Sequence, residues 1–243
     1  MPIKFRFRWI PFVAAMLAVV LGIELGRWQT RRAHEKEALE AAMATRAAQA
    51  PIDINRVMPT AAQADFHRIR VTGEFLRDWP VYLDNRQYNG IPGFYVLMPL
   101  KIAGSHHYIL VARGWTQRNF EDRTRLPKVP TPTGDITVEG VARREPARLL
   151  QLGTDTPLRP GALRENLTVA EFARASGLDL LPFLIDQTSN TGDKLVRDWP
   201  RPSAGIERNR GYAVQWYALA AMAFLFYVVT GFRRGSKQAE GPK

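Results

Sequence analysis

Two apolar stretches stand near the ends of the chain, and the segment between them follows a different rhythm. Gly211 to Phe232 carries no charge, with Arg208 and Arg210 before it and Arg233, Arg234 and Lys237 after it. A helix rises about 1.5 Å per residue and a bilayer core takes roughly 20 apolar residues. The segment is long enough to span, and helices buried in soluble cores are rarely apolar all round over such a length. Tyr212, Trp216 and Tyr217 at one end, and Tyr227 and Phe232 at the other, stand where interfacial aromatics belong. Trp9 to Ile23 is the second apolar run, behind Lys4, Arg6 and Arg8. Glu24 follows it, and an acid at a helix end leans toward the headgroups at little cost. A cleaved signal peptide needs a small-x-small site after the apolar run. Leu25-Gly26-Arg27-Trp28 is a poor match, so the run reads as an uncleaved span.

Beyond the first span, Leu39, Ala42, Met43, Arg46 and Ala47 recur at helical spacing until Pro51. The span therefore continues as a helix projecting from the membrane. Residues 51 to 64 read as a loop or weak turn. From Phe66 the period becomes two, and His67 to Phe75 alternates polar and apolar as a half-buried strand does. Further strands begin at Val81, run from Gly93 to Leu100, from His107 to Trp115, from Asp135 to Arg143 and from Leu180 to Asp186. Asn89-Gly90 and Pro92-Gly93 punctuate a tight connection, and Ala103-Gly104-Ser105 another. Residues 145 to 166 are irregular. Thr168-x-x-Glu171 is a capping box opening a helix from Val169 to Ser176, stopped by Gly177. Asp198-Trp199-Pro200-Arg201-Pro202 reads as a stiff extended arm returning to the membrane.

The expected architecture is a membrane protein with two transmembrane helices, one near each terminus, enclosing a β-rich α+β extramembrane domain of six or so mostly antiparallel strands. The divisions are a basic tail 1–8, a first transmembrane helix 9–26, a membrane-proximal helix 27–50, a β-rich domain 51–210, a second transmembrane helix 211–232 and a basic tail 233–243.

Both short tails are basic, and Lys243 adds to the second. The positive-inside rule puts them in the cytoplasm and the central domain in a periplasm, since long domains translocate largely regardless of charge. No transit-peptide pattern precedes the first span, which favours a bacterial inner membrane. The chain has no cysteine, which excludes disulfides, thiolate catalysis and thiolate metal ligation. The net charge of +11 suits a lipid bilayer surface or an acidic protein face, with ordinary solubility as the alternative. Nucleic acid is not an expected partner on that side of a membrane.

The chemistry is sparse. No G-x-S-x-G elbow, H-E-x-x-H, P-loop or dinucleotide fingerprint occurs. Of the histidines, His34 belongs to the membrane-proximal helix, His67 to a strand, and His106 and His107 to a turn. If that adjacent pair lay in a strand, the rings would point to opposite faces and chelate one ion poorly. Asp84 near Arg86, and Glu121-Asp122 near Arg123, read as surface ion pairs. No catalytic residue and no metal site is expected.

Three groups of residues carry a resemblance. The first is Leu25-Gly26-Arg27-Trp28-Gln29 with Arg32, Lys36 and Leu39. The second is Arg70-Val71-Thr72-Gly73-Glu74-Phe75, Val81-Tyr82-Leu83-Asp84-Asn85-Arg86, Gly90, Pro92-Gly93-Phe94-Tyr95-Val96, Pro99-Leu100 and Val111-x-Arg113-Gly114-Trp115. The third is Trp199-Pro200, Asn209 and Gly211-Tyr212-Ala213-x-Gln215-Trp216-Tyr217. In this order and between two spans, they resemble the surfeit locus protein 1 family, also called the Shy-type assembly factors. The resemblance implies a non-enzymatic factor assisting assembly of haem–copper cytochrome c oxidase. It also implies subunit I and other assembly factors as partners, and a transient contact with haem a.

Family members proposed to hold haem carry a histidine just before the second span, where this chain has Asn209. An amide is a poor iron ligand beside a neutral imidazole. The cofactor-binding candidates are therefore Arg208 and Arg210, for propionates, and Tyr212. Partner-binding candidates are Arg86, Arg113, Trp115, Trp199 and Trp216. For the arginines the alternative is pairing with a buried carboxylate; for the tryptophans it is core packing or anchoring. Gly73, Gly90, Gly93 and Gly114 read as backbone requirements. A periplasmic membrane-anchored tether for another membrane complex, and a hydrolase using a residue such as Asp84 or His67, are the competing classes.

Overall fold

A computed structural model describes residues 5–122, 125–150, 157–200 and 205–239. Lys4, Arg123, Arg201, Pro202 and Lys243, and the side chains of Arg233, Arg234 and Lys237, lie outside the described residues. The chain divides into two compact units, residues 1–41 with 201–243, and residues 42–200.

The first unit is built on two helices, α1 (Trp9–Ala47) and α4 (Ile206–Ala239), both long and apolar enough to cross a bilayer. Trp9, Ile10, Leu17, Val20, Phe224 and Phe226 are exposed along them, which is where lipid rather than core would cover a helix. The faces that do meet carry small residues. Gly22, Gly26 and Ala33 are the buried positions of α1, and Ala213 and Ala220 are buried on α4. A Cβ on Gly22 would stand 2.9 Å from the Ala220 Cβ and 3.0 Å from the Trp216 carbonyl. Small residues at such spacing let backbones approach, the main source of helix association where water supplies no hydrophobic force. At the far end of the pair, Phe5 meets Tyr227 and Phe232 edge-on, with centroids at 5.9 and 5.1 Å.

The second unit begins with the last turns of α1, which run unbroken past Arg27 as the helical spacing requires. It contains β1 (Ile52–Asp53), α2 (Ala61–Ala64), β2 (Arg68–Phe75), β3 (Val81–Tyr88), β4 (Ile91–Ile102), β5 (Tyr108–Gln117), β6 (Ile136–Arg143), β7 (Leu163–Arg164), α3 (Val169–Ser176) and β8 (Leu180–Gln187). The strands pair in the order β1-β2-β6-β8-β5-β4-β3-β7, and β2 also pairs with the end of β4. That extra pairing closes β2, β6, β8, β5 and β4 into a ring, in which only β5 and β8 run parallel.

Ring closure explains the burial pattern. Ile69 and Val71 of β2, Leu100 of β4, Ile109 and Val111 of β5, Val138 of β6 and Phe183 of β8 share one interior cluster. The alternate residues Leu97, Leu110, Ala112 and Leu184 form a second cluster outside the ring, covered by β3 and by Val169 and Phe172 of α3. Strands buried on both faces read as continuous apolar runs, as β4 and β5 do. Gly73 stands where β2 crosses β4: a Cβ there would lie 2.0 Å from the Lys101 carbonyl. Gly114 has φ +150° and lies against Leu195 and the Val196 carbonyl, beside the bulge between Val96 and Leu97.

All six expected strands form, and the Thr168 capping box and left-handed Gly177 bound α3 as expected. Asn89 and Gly90, both at positive φ, make the β3–β4 turn, whereas Pro92 and Gly93 lie inside β4. The segment 51–64 is not all loop. It holds β1 and α2, the latter capped by Thr60 and Gln63. Ile206 opens α4, so Arg208, Asn209 and Arg210 ride on its first turns.

Candidate functional site

The first turns of α4 face polar partners on α1. Asn209 uses both ends of its side chain: the oxygen accepts from Lys36 Nζ at 2.8 Å and the nitrogen donates to Gln29 Oε1 at 2.7 Å. Gln29 and Lys36, two turns apart, lie on one helix face. Arg210 pairs with Glu37 at 2.8 Å and with Glu207 at 3.1 Å. His34 also reaches Glu37, at 3.3 Å. The result is a polar clasp above the seam of small residues. Arg208 and Tyr212 are exposed, and Trp216 is half-buried. Of the expected cofactor residues Arg208, Arg210 and Tyr212, the fold brings Arg210 into the clasp beside Asn209 and leaves Arg208 and Tyr212 on the surface.

This geometry bears on the haem that the resemblance implies. The Asn209 oxygen already takes a charge-assisted hydrogen bond from Lys36. An amide so committed does not fit axial ligation of iron. Arg208 and Tyr212 are exposed, and the Arg208 guanidinium has the charge that a propionate contact would need.

The expected partner-binding residues of the β domain lie mostly inside it. Arg113 follows Val111 on the interior face of β5 and is wholly buried. Its guanidinium donates to Asp193 Oδ2 at 2.8 Å, the Pro130 carbonyl at 2.9 Å and Thr131 Oγ1 at 2.6 Å, and lies 4.7 Å from the Phe75 ring centre. The buried-carboxylate alternative is the one the structure contains, and a surface contact through Arg113 is not available. Arg86 is 4% exposed and donates to the Glu165 carbonyl at 2.9 Å. Burial pulls both guanidinium groups below their ordinary pKa, and acidic neighbours oppose the shift. Trp115 is buried too, its indole donating to the Arg86 carbonyl at 2.9 Å. Trp199 donates to the Gln187 carbonyl at 2.8 Å and packs on Tyr95 at 4.9 Å. Trp115 is thus a core residue, whereas Trp199 is half-buried at the edge of the second cluster and keeps part of its ring exposed. Asp84 pairs with Arg118, not with the buried Arg86.

Two buried carboxylates differ in the direction of their pKa. Burial pushes Asp193 up, but hydrogen bonds from Arg197, the Leu195 amide and Thr191 outweigh it and hold the group below its ordinary value. Its contribution to stability is present at neutral pH and fades as pH falls through that depressed value. Asp186 lies outside the ring, beside a cavity of about 30 Å³ lined by Leu83, Tyr95, Leu97, Leu184 and Trp199. Burial there pushes its carboxyl up from 3.8 to about 6, despite Arg143 at 2.5 Å. The native state then holds a proton that the unfolded chain has lost, so this group's contribution falls as pH rises from about 4 to about 6. Purified Asp186→Asn should lack that component. Thermal unfolding of both proteins from pH 4 to 7 should show the wild type losing stability relative to the variant in this window, by on the order of 2–3 kcal/mol. Parallel curves would contradict the shift.

His67 Nε2 meets Gln49 Oε1 at 3.1 Å, far from an arrangement for catalysis. His106 and His107 lie before the start of β5, not in it, and both rings turn toward Asp179. Gln29, Lys36 and Glu37 are the clasp residues that reasoning along one chain missed. Their signal was Gln29 and Lys36 within the first motif, separated by two helical turns.

Comparison with known proteins adds an independent line. The family model described as the SURF1 family matches residues 16–221. A SURF1-like protein of Rickettsia felis is 25% identical over 227 residues, covering 89% of this chain and 95% of its own. One from Monosiga brevicollis is 26% identical over 240 residues, covering 92% and 88%. The cytochrome oxidase assembly protein SHY1 of Saccharomyces cerevisiae is 28% identical over 98 residues, covering 40% of this chain and 25% of its own.

Proposed function

Since the chain belongs to the SURF1 family, we propose that it is an assembly factor for haem–copper cytochrome c oxidase. The observation that carries this reading is the extent of the match: residues 16–221 take in apolar sequence from both helices and the whole β domain between them. The similarity to the yeast cytochrome oxidase assembly protein supports it. The factor sits in a bacterial inner membrane through α1 and α4, with both basic ends cytoplasmic and the β domain periplasmic.

Its role is to hold rather than to catalyse. It stabilises a partly loaded subunit I while haem a enters, then releases it. Holding of this kind requires higher affinity for the intermediate than for the finished enzyme. The hydrogen bonds of Asn209 to Lys36 and Gln29 support a reading without stable haem ligation there, in which contact with haem a is transient and runs through Arg208, Arg210 or Tyr212. Haem a added to the purified full-length chain should give no low-spin bis-histidine spectrum, and a tight low-spin complex would sink that assignment.

The partner claim is tested by capture of the tagged full-length chain from membranes. Subunit I lacking its haem a should be enriched over the finished oxidase. Equal recovery of both forms would contradict a holding role.

A further inference from the structure

We propose that His106, His107 and Asp179 form a binding site for one divalent ion of the zinc or copper(II) class. One ligand atom from each residue lies within 4.8 Å of the others. Asp179 Oδ2 is 2.8 Å from His107 Nδ1 and 3.5 Å from His106 Nε2. Two imidazoles and a carboxylate thus converge on one point from two separate parts of the chain.

The backbone prepares this convergence. Gly104, at φ +75°, turns the chain after β4. The Ile102 amide donates to the His107 carbonyl at 3.1 Å, and the His107 amide donates to Ser105 Oγ at 3.1 Å. Across the parallel β5–β8 pair, Tyr108 stands in register with Leu180, and its amide donates to the Asp179 carbonyl at 2.9 Å. The residues beside each ligand are therefore fixed by the sheet. The two rings lie 4.0 Å apart, centre to centre, on the same side of the turn.

The donor set selects the ion. Two imidazoles disfavour magnesium and calcium, which take oxygen ligands, and suit zinc, copper or nickel. Tetrahedral zinc with bonds of about 2.0–2.2 Å sets its donors roughly 3.3 Å apart. The His107–Asp179 separation, at 2.8 Å, is shorter than that by about half an ångström. An ion entering between the two side chains would open the pair by that amount. His106 is largely exposed and free to swing into place, while His107 is held at 27% exposure. Three protein ligands leave a coordination position for water or for a donor from another molecule, which makes the site exchangeable. This site stands independently of the oxidase reading.

The test titrates zinc chloride, copper sulfate and magnesium chloride separately into the full-length protein in detergent, purified without a histidine tag. Calorimetry should show one zinc or copper site and no magnesium site. His107→Asn and Asp179→Asn should each weaken binding at least about tenfold, with unfolding temperatures unchanged, and His34→Asn should not. Copper(II) resonance spectra should show two nitrogen ligands, falling to one in His106→Asn. Absence of zinc or copper binding, or binding undiminished in His107→Asn and Asp179→Asn, would overturn the site.

Discussion

Asp193→Ala will destabilise the β domain more than any other single polar substitution described above, by about 3–5 kcal/mol. The carboxylate serves two guanidinium groups at once: Arg113 at 2.8 Å and Arg197 at 2.6 Å. Removing it leaves Arg113, which has no solvent exposure, as an unpaired buried cation. Domains are stable by about 5–15 kcal/mol in total, so this loss is a large fraction. Arg197→Met should cost less, because the Arg113–Asp193 pair survives and the Arg197 side chain is 10% exposed. Thermal unfolding and limited proteolysis of the purified chain measure both. A cost for Asp193→Ala below that of Arg197→Met would contradict the assigned network.

Gly22→Leu will separate α1 from α4. The new side chain would start 2.9 Å from the Ala220 Cβ and 3.0 Å from the Trp216 carbonyl, and a backbone atom cannot step aside. Overpacking typically costs about 1–3 kcal/mol, and each 1.4 kcal/mol is about tenfold in population. The chain's lack of cysteine provides a clean assay. Cysteines placed at Gln29 and Asn209, whose side chains touch at 2.7 Å, should cross-link efficiently with a short bifunctional reagent in membranes. Gly22→Leu should remove most of that cross-link. Gly26→Leu should do less, since the group it meets is the Tyr217 ring, which is 39% exposed and able to swing. Undiminished cross-linking in Gly22→Leu would contradict the packed seam.

Much of this architecture is visible along the chain because each element carries its own period. His67 to Phe75 alternates, and Ile69, Val71 and Phe75 point inward as that alternation requires. Thr168 and Glu171 announce α3 through their spacing alone. Ring closure is not visible in this way. It depends on Gly73 to Phe75 meeting Leu100 to Ile102, a pairing that no local pattern encodes. The two-residue strands β1 and β7 are too short to show a period. Arg113 illustrates the limit for side chains. Its apolar neighbours mark it as unusual, but only the fold brings Asp193 to it, 80 residues away in sequence. Asn209 stood out as a departure from a resembled motif, and the fold supplies what the motif could not, its partners Lys36 and Gln29. His106 and His107 lie at a turn as their setting in the sequence suggests, but that setting does not show that the turn puts both rings on one side.

The central claim is that the chain acts in oxidase assembly, at the stage where subunit I receives haem a. The most direct test is a reduced-minus-oxidised spectrum of membranes from a deletion strain, with oxidase activity normalised to subunit I and any paralogue also deleted. The account predicts that the haem a signal and the activity fall together while subunit I persists. A normal haem a signal with normal activity would contradict it.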